Sequence, residues 1–274
     1  MPRIDYEAEY NNRARVPEHP AIIAGWASEA AAYRKANPPL RIPYGGSERQ
    51  FIDFFHADRP DHGTATLVFI HGGYWQNLDP SFFSHMARGP NGCGLNVAVV
   101  GYDLCPAVRV GDIVEELRAA CRELARFERR LVVAGHSAGG HLTACMIATD
   151  WAAVDEDLPQ DFVTAGYAIS GLFDLKPLVQ TSINTALGMD AAEAELQSPL
   201  SWHPPIGLRF DAVVGGEESA EYLRQSRTIV ERWGAAGVRT RYESVPGANH
   251  FTVVAPLADP GSTMTRRLTE LAQP

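Results

Sequence analysis

Gly135-His136-Ser137-Ala138-Gly139 is a G-x-S-x-G pentapeptide, and it directly follows the apolar run Leu131-Val132-Val133-Ala134. A neutral hydroxyl is a weak nucleophile until a base takes its proton. A strand, a tight turn and a helix are the frame that holds such a serine out at the end of a sheet. That turn is crowded, so glycines flank the serine where a Cβ would clash. The chemistry indicated is acyl transfer to Ser137. In this arrangement an acid and then a histidine follow the serine in the chain. His250, in Gly247-Ala248-Asn249-His250-Phe251, is the only histidine after His203 and takes the place of the base. The acid is expected after the strand at 210–214, in Gly215-Gly216-Glu217-Glu218-Ser219-Ala220-Glu221. Glu218 is the first choice, Glu217 the second and Glu221 the third, with Asp174 an outside candidate. The unchosen glutamates would suit the positive first turn of the helix that follows.

His71-Gly72-Gly73-Tyr74-Trp75 ends a second apolar run, at 66–70. Acyl transfer puts negative charge on the carbonyl oxygen, and pre-aimed backbone N–H groups stabilise it without reorganising. The N–H groups of Gly72, Gly73 and Ala138 are the expected oxyanion donors. Tyr74 and Trp75 are expected to wall the acyl side of the substrate pocket. Asn184 and Trp202 are expected to contact the leaving group, with His203 a further pocket candidate. His136 should pack or hydrogen-bond locally beside the nucleophile, and His141 lies one helical turn beyond it.

The elements that must position these residues alternate between strand and helix. Strands are predicted at 50–56, 66–70, 96–100, 131–134, 163–169, 210–214 and 240–245, most of them short β-branched runs of the kind buried on both faces. Helices are predicted at 21–36, 80–88, 112–130, 138–149, 190–196, 221–233 and 263–271. The clearest is 112–130, where Ile113, Val114, Leu117, Cys121, Leu124 and Phe127 make one apolar stripe. This order implies an α/β fold: a mostly parallel central sheet with helices on both faces. One domain is expected over 1–274. Residues 1–47 read as an irregular N-terminal arm, and the proline-rich stretch 172–205 as a small insertion over the active site, at the carboxyl ends of the strands where ligands bind.

Composition narrows the function. The 274 residues hold 24 Lys and Arg against 33 Asp and Glu, a net charge of −9, which argues against a nucleic-acid or anionic-membrane partner. Cys93, Cys105, Cys121 and Cys145 form no C-x-x-C pair and read as small buried hydrophobes. The start, Met1-Pro2-Arg3-Ile4-Asp5-Tyr6-Glu7, has no apolar signal core, so a cytoplasmic enzyme is expected. There is no H-E-x-x-H, no Cys/His cluster, no lysine at phosphate-loop spacing and no G-x-G-x-x-G, so no metal or cofactor is expected. The expected partner is a small acyl amide or ester, and a homo-oligomer is compatible with the sequence.

From Tyr44 to Leu257 the chain resembles the kynurenine formamidase (arylformamidase) branch of the α/β-hydrolases, which is related to hormone-sensitive-lipase-like esterases. The resemblance rests on Tyr44-Gly45 with Gln50 and Asp53, on His71-Gly72-Gly73-Tyr74-Trp75-Gln76, and on Gly101-Tyr102-Asp103-Leu104-Cys105-Pro106. It continues in Gly135-His136-Ser137-Ala138-Gly139-Gly140-His141-Leu142 and Ser170-Gly171-Leu172-Phe173-Asp174-Leu175. Its last parts are Thr181-Ser182-Ile183-Asn184 with Ser198-Pro199, Glu218-Ser219 with Arg224-Gln225-Ser226, and Asn249-His250-Phe251. The His-Gly-Gly-Tyr-Trp string is far more specific to that branch than G-x-S-x-G. The resemblance implies Ser137 as nucleophile, His250 as base, and Glu218 where the family usually has an aspartate. It implies hydrolysis of N-formyl-L-kynurenine to kynurenine and formate, alongside simple ester hydrolysis. The alternatives are a general small-acyl carboxylesterase or amidase and, more remotely, an inactive hydrolase fold used for binding.

Overall fold

A computed structural model describes residues 4–60 and 63–274. Met1-Pro2-Arg3 of the polar N-terminal stretch lie outside the described residues. β1 (Leu40–Pro43), β2 (Phe51–Phe55), β3 (Thr66–Ile70), β4 (Val97–Val100), β5 (Leu131–His136), β6 (Val163–Ile169), β7 (Arg209–Gly215) and β8 (Arg239–Val245) form one sheet in the order β1-β2-β4-β3-β5-β6-β7-β8. β2 runs antiparallel to both β1 and β4, and every other neighbouring pair is parallel. This is the expected α/β-hydrolase architecture.

Alternation along the strands divides the interior into two cores. Val68, Ile70, Ala98, Val100, Leu131 and Val133 face one. Leu67, Phe69, Val97, Val99, Val132 and Ala134 face the other. Strands apolar on both faces need cover on both faces. The helices Val110–Leu124, Ala138–Ile147 and Ala220–Ala235 cover the first, and His19–Ala36 and Thr263–Ala272 the second. At about 25 cal/mol per Å² of apolar surface, each buried Val, Leu, Ile or Phe contributes roughly 1.5–3 kcal/mol.

Several elements depart from the sequence reading. The stretch 80–88 is two 3₁₀ turns, Pro80–Phe82 and Ser84–Ala87, running into the short helix Arg88–Gly92. The helix expected to reach 130 ends at Leu124, because the chain must turn into β5 at Leu131. Phe127 therefore leaves the apolar stripe; it is half exposed and meets Phe54 edge-on at 5.6 Å. Residues 4–47 are ordered rather than irregular. Besides the helix expected at 21–36, which spans His19–Ala36, they contain the helices Tyr6–Tyr10 and Asn12–Arg15 and the edge strand β1. β1 gives little signal in the sequence because it is only four residues long and mostly exposed, follows Pro38-Pro39 and ends in Pro43. Asp53 on β2 is fully buried and is held by Arg34 at 2.5 Å and Arg41 at 2.9 Å, which ties the arm to the sheet. No helix among the described residues is long and apolar enough to cross a membrane.

Candidate active site

β5 lies inside the sheet, and its end delivers the elbow. Ser137 has φ 58° and ψ −117°, a left-handed conformation that costs free energy and persists only where its surroundings enforce it. Here the Ser137 N–H donates to the Ile169 carbonyl at 2.8 Å, and the helix Ala138–Ile147 starts at once. The glycines are required by contact: a Cβ on Gly139 would run into the Ile70 carbonyl, and one on Gly135 into the Gly139 carbonyl.

Three side chains from three loops meet at this turn. His250 Nε2 lies 3.0 Å from Ser137 Oγ, and His250 Nδ1 lies 2.6 Å from Glu218 Oε2. All three residues are buried. A carboxylate only accepts, so Nδ1 carries the ring hydrogen and Nε2 is free to accept the serine proton. Glu218 Oε1 accepts from Ser170 Oγ at 2.5 Å and from the Gly215 N–H at 2.7 Å, so both carboxylate oxygens are fixed. The other acids considered are engaged elsewhere. Glu221 pairs with Arg224 at 2.8 Å and accepts from the Tyr10 hydroxyl at 2.9 Å. Asp174 faces Arg224 at 3.9 Å, and Glu217 is exposed.

The oxyanion string packs directly on the elbow. A Cβ on Gly72 would lie 2.8 Å from the His136 carbonyl and 3.0 Å from Ser137 Cβ, so only glycine lets the two backbones approach this closely. Gly73 has φ +114°. Among the described residues, no backbone carbonyl accepts from the N–H of Gly72 or Gly73. Ala138 opens its helix, and no side chain caps that end, so its N–H belongs to the electropositive first turn.

A cavity of about 360 Å³ opens at Ser137, a volume suited to a small organic molecule. Tyr74 lines it, as do Gly72, Gly73 and His250. Trp75, Asn184 and Trp202 do not. Left-handed backbone at Trp75 (φ 56°) turns its ring into the core, edge-on to His141 at 5.0 Å. Asn184 closes its own turn, donating to the Met189 carbonyl and accepting from the Met189 N–H, both at 2.9 Å. Trp202 donates to the Leu196 carbonyl at 2.9 Å. The insertion contributes Ser182 and Ile183 to the cavity instead, and His203 is exposed outside it.

The arm supplies what the motifs did not indicate. Tyr10, Asn11, Asn12, Arg13, Ile23 and Trp26 line the cavity. Asn12 Nδ2 donates to the hydroxyls of Tyr222, at 3.0 Å, and Tyr74, at 3.3 Å. Those hydroxyls are 2.7 Å apart, and Tyr74 donates to the Tyr10 carbonyl at 2.6 Å. Tyr222 packs against the His250 ring at 4.8 Å. Burial keeps this phenol protonated by pushing its pKa well above the ordinary value. No spacing in the sequence linked Asn12 to Tyr222, 210 positions away.

The neighbouring histidines are structural. His136 Nε2 donates to the His250 carbonyl at 2.8 Å, and His141 Nε2 to the Gln197 carbonyl at 2.7 Å. Burial pushes His136 down to about 3 and His71 and His141 each down to about 4, with His250 adding to the effect on His136. The unfolded chain takes up these protons below about pH 6.5, and the native state does not. Stability is therefore complete above pH 6.5 and falls as pH drops toward 4, by roughly 1 kcal/mol per pH unit for each histidine. Thermal melts should show Tm falling between pH 7 and pH 5; a flat profile would contradict buried neutral histidines.

The arrangement can deliver an alkoxide-like serine to a carbonyl, pass the proton to an imidazole and hold the resulting oxyanion on backbone donors. Comparisons with known proteins agree with such chemistry. A family model described as the alpha/beta hydrolase fold matches residues 67–254. The kynurenine formamidase of Salmo salar is 28% identical over 241 residues, covering 85% of this chain and 81% of that protein. That of Danio rerio is 26% identical over 240 residues, with the same coverage. A solved structure from Silicibacter sp. TM1040, described as a candidate thioesterase, is 33% identical with a TM-score of 0.85, covering 96% of this chain and 98% of that one. An esterase of the bacterial hormone-sensitive lipase family is 25% identical with a TM-score of 0.69, covering 94% and 97%. The resemblance read from the motifs thus extends over most of the chain, which belongs to the alpha/beta hydrolase fold family and has kynurenine formamidases among its relatives.

Proposed function

We propose that the protein is a serine hydrolase of arylformamidase type, removing a formyl group from an aryl amide. The observation that carries this reading is the relay from Glu218 through His250 to Ser137, at 2.6 and 3.0 Å, opening on a cavity floored by Gly72 and Gly73. Ser137 Oγ attacks the formyl carbon while His250 Nε2 takes its proton. Glu218 orients the imidazole and stabilises its charged form. The N–H groups of Gly72, Gly73 and Ala138 hold the oxyanion, each donor being worth about 10²–10³ in rate. His250 then protonates the departing aryl amine nitrogen. Water, deprotonated by His250, attacks the formyl-enzyme; formate leaves and Ser137 recovers its proton.

The esterase and thioesterase relatives favour a second reading, a general small-acyl esterase on the same site. Steady-state rates on N-formyl-L-kynurenine, p-nitrophenyl acetate and a short acyl thioester separate the two. The expected outcome is a kcat/KM on the formyl amide above both others. A formyl amide rate no better than the ester rate would replace the first reading with the second.

A further inference from the structure

We infer that Arg13 is the anchor for an anionic group on the leaving portion of the substrate, so that the cavity selects acyl compounds carrying a carboxylate. The inference rests on the proposed hydrolase reading and names the substrate class more closely. Among the described residues, Arg13 is the only lysine, arginine, aspartate or glutamate lining the cavity at Ser137. The chain as a whole carries a net charge of −9, so a site whose one permanent charge among the described residues is positive runs against its composition. Arg13 is exposed, and no carboxylate among the described residues pairs with it. The carboxylates that touch lining residues are engaged already. Glu218 holds His250, Glu221 holds Arg224, and Glu7 accepts from the N–H and hydroxyl of Ser182 at 2.7 and 2.8 Å.

The rest of the lining complements a ring. Tyr10, Trp26, Tyr74 and Phe251 supply aromatic surface, and Asn11 and Asn77 supply neutral polar contacts. Arg13 follows Asn12, whose amide holds Tyr74 and Tyr222, so the cation is carried on a segment anchored to the site. A planar guanidinium binds a carboxylate through paired N–H donors, which gives direction as well as attraction. An aromatic body with a carboxylate on a side chain, and the acyl group toward Ser137, meets all of these features at once.

The test uses two matched pairs: N-formyl-L-kynurenine with its carboxamide, and phenyl acetates with and without a side-chain carboxylate. For the wild type, KM should be lower for the carboxylated member of each pair, and added salt should weaken that preference. Arg13→Gln should raise the KM ratio of carboxylated to neutral substrate about tenfold, Arg13→Glu should raise it further, and Arg13→Lys should restore most of it. A ratio unmoved by Arg13→Gln, or equal losses on both members, would overturn the inference. Failure of the formamidase reading is a separate result: the formyl pair would be poorer than the acetates, and the Arg13 ratio would still be read on the acetate pair.

Discussion

Ser137→Ala is expected to lower kcat on any acyl substrate by roughly 10⁶-fold, because a relay whose nucleophile is missing loses almost all that its members contribute together. The residual rate over water would come from the backbone donors at Gly72, Gly73 and Ala138 and from binding. Stability should change little. Alanine has a Cβ like serine, so the left-handed turn at φ 58° is no worse occupied, and the Ser137 side chain is not needed to cap its helix. Rates with p-nitrophenyl acetate and N-formyl-L-kynurenine, a thermal melt and labelling by a fluorophosphonate probe measure all three consequences. A variant that retained more than a few per cent of activity, or a native protein that escaped the probe, would move the protein to the class of hydrolase folds that bind without reacting.

Glu218→Gln is expected to cost roughly 10⁴-fold in kcat, with Glu217→Gln within about twofold of the parent. The asymmetry follows from proton bookkeeping. Glu218 Oε1 receives two donors, Ser170 Oγ and the Gly215 N–H, and Oε2 receives His250 Nδ1–H. An amide has one accepting end. If its oxygen stays with Ser170 and Gly215, its NH₂ faces Nδ1, the ring proton moves to Nε2, and His250 can no longer accept from Ser137. If it flips, the NH₂ opposes the Gly215 N–H, and a buried donor is left unpaired. Glu217 has no such duty, being exposed. Kinetics of both variants decide the point, and equal small losses would show that a different carboxylate completes the relay.

The legible parts of this molecule were those where local pattern and long-range role coincide. β3, β5, β6 and β7 are buried on both faces, so they stand out as apolar runs. Ser137 and Glu218 sit directly after two of these strands, β5 and β7, and His250 in the loop after the partly exposed β8, so the order of strands carried the order of roles. Trp75 misled for a backbone reason. Both it and its neighbour Tyr74 have positive φ; the Tyr74 ring reaches the cavity, while the Trp75 ring, 6.4 Å away, is fully buried in the core. Asn184 and Trp202 misled because turn closure and a substrate contact call for the same residue types. Tyr10, Asn12, Arg13 and Tyr222 were silent. They belong to short or polar segments whose partners lie across the fold, and no periodicity records such a contact.

The arm's place in the wall of the cavity also has a consequence in time. Asn12 is joined to Tyr222 across 210 positions, and Tyr10 to Glu221 across 211. At 5–20 residues per second, the arm leaves the ribosome on the order of 10–40 s before its partners. Through that interval β3, β5 and the elbow can assemble from neighbouring chain and the arm can meet Tyr74, but Asn12 and Tyr10 still lack their partners on the helix Ala220–Ala235. The entrance of this site is therefore the earliest-made part of its surface and among the last to take its place.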